Sequence, residues 1–168
     1  MAHSGHLRYH RAIKTSTYGI IYMGTPHQGG EGVSWGQVLV NIGSVFINTT
    51  DKLLNVLEKD SEILQSQLAQ YAAISSDFVT KFAYETYPTP IVRGYKMIVV
   101  PKSSAVVPGA VDAEPIAIMA DHKKMAKFSS NIDDGFRQIA GHLKLMTEEA
   151  AEKVSRNWEQ ERAVENGM

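Results

Sequence analysis

Acyl-transfer chemistry is built from a hydroxyl nucleophile, an imidazole and a carboxylate, and the chain offers a candidate for each. Among its six histidines, His122 closes the Ala120-Asp121-His122 that follows at once on a short apolar run, residues 116–119, late in the chain. An imidazole takes and returns a proton near neutral pH, which suits it to be a general base. From the residues alone, a surface loop histidine is the competing reading. Glu85 closes the run 81–85, ahead of the histidine run, where a carboxylate can reach the second nitrogen of the ring. A solvated charge at a strand end competes there. Asp112 and Glu114 are the alternative acids, and Asp121, beside His122, is expected to point elsewhere.

The nucleophile is the weak member. Gly32-Val33-Ser34-Trp35-Gly36 matches Gly-x-Ser-x-Gly literally. A nucleophile elbow, however, needs a strand running straight into the first glycine. Here the apolar run ends at Met23 and a glycine-rich loop intervenes, so Ser34 reads as a helix cap. Ser103 and Ser104 read as loop residues bonded to the backbone, and Thr25 and His27 as residues that hold a turn. His3, His6 and His10 share one helix face, but no carboxylate accompanies them, so a solvated helix end is preferred to a metal site. The loop 24–30 lacks the Lys-Ser/Thr pair of a phosphate loop.

These residues need elements to position them. Residues 19–23 form an unbroken apolar run, as expected of a strand buried on both faces of a parallel sheet. Gly24, Pro26, Gly29, Gly30 and Gly32 make residues 24–32 a loop at the carboxyl edge of that sheet, where open α/β sheets bind ligands. Residues 33–48 read as one helix and those from Leu53 to near Ser75-Ser76 as a second, amphipathic with Leu53, Leu57, Leu64, Leu68 and Tyr71 on its stripe. Residues 81–85, 95–100 and 116–119 read as strands. Asp133 is placed to cap a helix with Phe136, Ile139, Ala140, Leu143 and Met146 on one face. Strands alternating with helices predict an α/β fold with a short, mainly parallel sheet flanked by helices.

Three segments carry a resemblance. Gly24-Thr25-Pro26-His27-Gln28-Gly29-Gly30 resembles the GTPH-x-G segment of the serine esterase family of lipase-like α/β-hydrolases, and in particular fungal hydrolase domains found ahead of nucleotide-binding receptor modules. The segments 99–107 and 120–128 continue it in the family's order, so that it spans about residues 15–146. The resemblance implies hydrolysis of an ester or lipid substrate without a cofactor or metal, His122 as base, and these two helices shaping the cleft. Many related lipases place an Asp just before the Val-Pro-x-x-Ser segment. Residues 96–101 hold no acid, which favours Glu85. The family's nucleophile elbow precedes the part that matches, and residues 2–14 correspond to the end of the helix after it. The expectation is therefore the C-terminal portion of an α/β-hydrolase domain over 1–146, inactive alone. The rival is a non-catalytic, hydrolase-like interaction module attached to a signalling or receptor-type protein.

Composition bounds the rest. The 168 residues suffice for one core, and 43% hydrophobic with 21% charged residues is a globular mixture. Lys plus Arg total 17 against 18 Asp plus Glu, which gives no pull toward nucleic acid. With no cysteine there is no disulfide or thiol chemistry, and a reducing, intracellular, cytoplasmic setting is expected. No apolar run reaches membrane-spanning length, and the first residues lack a signal-peptide core. Residues 147–168 are charge-rich and predict a helical tail or linker projecting from the domain. Without the elbow strand, run 19–23 becomes an apolar sheet edge, from which self-association is expected.

Overall fold

The computed structural model describes residues 2–27, 34–46, 74–91, 94–107 and 114–167. Helix α1 is Ala2–Ser16, strand β1 Gly19–Met23 and helix α2 Trp35–Phe46. After a 3-10 turn at Ser75–Asp77 come strand β2 Val79–Glu85 and two short strands, β3 Thr89–Pro90 and β4 Lys96–Met97. A single helical turn, α3 Lys102–Ala105, precedes strand β5 Glu114–Ile118, and helix α4 spans Asp134–Asn166. Of the expected second helix, residues 53–73 lie outside the described residues.

The main sheet is parallel in the order β1-β2-β5, with Met23 level with Ala83 and Ala83 level with Ile116. Alternation along β2 sends Phe82 and Tyr84 to one face and Ala83 and Glu85 to the other. On the first face Tyr22 stacks on Phe82 at 5.7 Å, and Val38, Val45, Val99, Val100 and Ala105 form a cluster beside Tyr84. On the second, Ala83, Ile116, Ile118, Met125 and Ile139 pack with Ile21 and Met23. The two-sided apolar run of β1 thus has a layer on each side. Its residues are only half-buried, as suits a strand at the sheet margin. Gly19 admits close approach of helix α4, because a Cβ there would overlap Met146 Cε and Val79 O.

Three expectations change. Residues 95–100 do not form a strand of the main sheet: only Lys96–Met97 is extended, paired antiparallel with Thr89–Pro90. Val99 and Val100 are fully buried, but their N–H groups donate to the Glu85 carboxylate instead of to a neighbouring strand. On α4, Asp133 caps as expected, its Oδ1 accepting from the N–H groups of Gly135 (2.9 Å) and Phe136 (3.3 Å). The apolar face behind the cap is split, however: Ile139 and Met146 are buried, while Phe136 and Leu143 are exposed.

The third concerns 147–168. Helix α4 runs unbroken through 147, and its second half lies against α1 rather than projecting. The contact is largely polar, which hides it from a hydrophobic reading. Arg11 pairs with Glu161 at 3.2 Å, Trp158 Nε1 donates to Ser16 Oγ at 3.2 Å, and Tyr18 OH donates to Glu149 at 2.5 Å. Among the described residues, no helix is long and apolar enough to cross a membrane.

Candidate active site

The carboxyl ends of β1, β2 and β5 lie on one edge of the parallel sheet, and each delivers a group to the same place. Glu85 is the last residue of β2, and its side chain is fully buried. A buried carboxylate needs its lone pairs matched. Oε1 accepts from the N–H groups of Val99 and, at 3.3 Å, Val100, while Oε2 lies 2.6 Å from His122 Nδ1. The His122 side chain is 12% exposed and stands four residues past the end of β5. The carboxylate is an acceptor, so Nδ1 carries the hydrogen, and the neutral ring then has its lone pair on Nε2.

The histidine sits in a turn organised by its neighbour. Asp121 Oδ1 accepts from the N–H groups of Lys123 (3.0 Å) and Lys124 (3.1 Å), so this carboxylate is spent on the turn and faces away from the imidazole, as expected. The backbone N–H of His122 donates to Thr89 Oγ1 at 2.9 Å. From the other side, Gly24 touches the ring. With φ at +58°, a Cβ at Gly24 would lie 2.7 Å from Met125 Sδ, 3.0 Å from His122 Cε1 and 3.1 Å from Nδ1. Only glycine satisfies both the left-handed backbone and this approach.

The loop after β1 continues to His27, which is buried with its ring edge against Tyr22 (4.6 Å) and Phe82 (4.9 Å). Its backbone N–H donates to Ser104 O at 2.7 Å, which ties the loop to α3. The turn is thus held by the backbone and by ring packing; Nε2 of His27 is buried with no hydrogen-bond partner among the described residues. Burial lowers the His27 pKa from 6.5 to about 4. Between those values the unfolded chain takes up a proton that the folded chain refuses. Stability is therefore expected to fall on acidification from pH 6.5 to 4, by about 2 kcal/mol once partial screening by water is allowed for. Urea titrations across that range should show a shallower slope for His27→Phe, and identical slopes would contradict this origin.

The remaining sequence candidates are placed elsewhere. Ser34 Oγ accepts from the N–H of Gln37 at 3.2 Å, so it caps α2. Ser104 is fully buried in α3, and its Oγ has no partner among the described residues, unlike the backbone-bonded hydroxyl expected. Glu114 begins β5, at the opposite end of the strand from His122, where it pairs with Lys81 at 2.7 Å and lies 3.7 Å from His142. The hydrogen bond from Lys81 holds its carboxyl below the usual value. Asp112 lies outside the described residues, as do the side chains of His3 and His6. Among the described residues, no three His, Asp or Glu side chains converge as metal ligands.

Sequence reasoning missed Thr89 and the N–H pair of Val99 and Val100. The only signal for Thr89 was its place between Pro88 and Pro90, which forbids a central strand and forces a turn. Comparison with protein-family models, curated proteins and solved structures gives no match for this chain.

Proposed function

We propose that this chain carries the acid–base half of a serine hydrolase acting on an ester or lipid substrate, with His122 as general base and Glu85 as the acid that orients it. The observation that carries the reading is the 2.6 Å contact between Glu85 Oε2 and His122 Nδ1 at the carboxyl edge of a parallel sheet. The two groups come from successive strands of that sheet, acid before base, which is the chain order the chemistry uses in α/β-hydrolases.

In that reaction His122 Nε2 takes the proton from a serine hydroxyl as its oxygen attacks the ester carbonyl. The imidazolium so formed is stabilised by Glu85 and returns the proton to the leaving alcohol. Water then repeats the cycle on the acyl-serine, which releases the acid and restores the hydroxyl. The serine belongs on an elbow fed by a strand pairing beside β1. Ser34 does not serve, because its Oγ caps α2. The oxyanion donors fall with the elbow, one of them being the N–H of the residue after the serine.

Residues 1–168 alone are therefore expected to hydrolyse short-chain p-nitrophenyl esters no faster than buffer. The same chain joined to a strand and a Gly-x-Ser-x-Gly elbow that pair beside β1 should turn them over. A folded extended protein without turnover, or hydrolysis by residues 1–168 that survives His122→Ala, would contradict the proposal.

A further inference from the structure

The segment that links β2 to α3 reaches both members of the pair. Just after Glu85, it is laced to the histidine turn: Thr86 N and Oγ1 donate to Ile118 O at 3.1 and 2.9 Å, and Tyr87 N donates to Ala120 O at 3.2 Å. Thr89 Oγ1 then accepts from the His122 N–H at 2.9 Å. Thr89 has no solvent exposure and opens the β3–β4 pair, in which Ile91 N donates to Tyr95 O at 2.8 Å. Past β4, the same segment returns to give the Val99 and Val100 N–H groups to Glu85 Oε1.

We infer that Thr89 is a positioning residue for His122, and that Thr89 and the Val99–Val100 backbone, which flank the β3–β4 pair, together hold base and acid in register. The physical ground is the difference between the two kinds of anchor. Glu85 is fixed by the end of a regular strand, whereas His122 stands in an irregular turn whose backbone has no ladder to hold it. A hydroxyl that accepts the histidine's own N–H fixes the Cα from which the ring projects. The methyl of a valine at 89 would fill the same space without accepting, and the part-buried N–H would lose this acceptor. Thr89 touches no reacting atom, so its effect passes through the orientation of the imidazole.

The inference rests on reading Glu85 and His122 as a functional pair, and NMR on residues 1–168 separates the two claims. In the wild-type chain the His122 amide should be protected from exchange, and the Nδ1 proton should resonate at low field and respond to Glu85→Gln. In Thr89→Val, both protons should exchange about tenfold faster. Thr89→Ser keeps the hydroxyl and should stay within about twofold of wild type. Unchanged rates in a folded Thr89→Val, or a serine variant that behaves like the valine one, would overturn the inference while leaving the pair intact. If Thr89→Val does not fold, an unprotected His122 amide in the wild-type chain overturns it equally. An Nδ1 proton indifferent to Glu85→Gln overturns the functional reading of the pair, and the inference with it.

Discussion

In the chain joined to a strand and Gly-x-Ser-x-Gly elbow beside β1, His122→Ala is expected to lower kcat for ester hydrolysis on the order of 10⁶-fold, with KM little changed. The serine alone is a poor nucleophile, because its hydroxyl must lose a proton as it attacks, and His122, held by the buried Glu85 carboxylate, is placed to take that proton. Glu85→Gln should cost less, on the order of 10⁴-fold. The amide keeps an oxygen for the Val99 and Val100 N–H groups but no longer offers an anion to the imidazolium. Steady-state kinetics with a panel of acyl chain lengths would measure both. A rise in KM with kcat unchanged would assign the residues to substrate binding instead.

The second large effect is on stability and needs no activity. Glu85→Ala in residues 1–168 is expected to lower the unfolding free energy by about 3 kcal/mol in urea titrations. Three hydrogen bonds end on this carboxylate, two of them from backbone N–H groups enclosed with the Val99–Val100 core. Removing the acceptor leaves those donors buried without partners, and it also leaves His122 Nδ1 unpaired in a site only 12% exposed. Glu85→Gln preserves the oxygen that the valine N–H groups need, so its loss should be about 1 kcal/mol. Equal losses for alanine and glutamine would mean that the energy resides in the contact with His122 rather than in the backbone clamp.

A sequence displays some stabilising forces and conceals others, and the legible parts of this chain divide along that line. Residues 19–23, 81–85 and 116–118 appear as apolar or alternating runs because their stabilisation comes from burial on sheet faces. The Asp133 cap appears because a short carboxylate before a periodic stretch has one common use. Glu85 and His122 were legible as a pair through their positions at the ends of successive strands, the first by its place and the second by the segment around it. Val99 and Val100 misled, since buried valines beside a proline look like a strand. Their N–H groups are taken by a side chain fourteen and fifteen residues away, and no local pattern records that. Thr89 was invisible for the same reason, its partner being His122. The second half of α4 looked solvated because its packing on α1 runs through Arg11, Ser16 and Glu161, polar residues that a hydrophobic count discards.

The central claim is that Glu85 and His122 serve a serine held on a strand beside β1, and not one within the described residues. Labelling with a fluorophosphonate probe, then peptide mass spectrometry, tests it most directly. Residues 1–168 should remain unlabelled. The chain joined to the elbow segment should label stoichiometrically at the elbow serine, and His122→Ala should suppress that labelling. Stoichiometric modification of Ser34 in residues 1–168 would contradict the account. It would convert the cap of α2 into the nucleophile and make Gly32-Val33-Ser34-Trp35-Gly36 a working elbow.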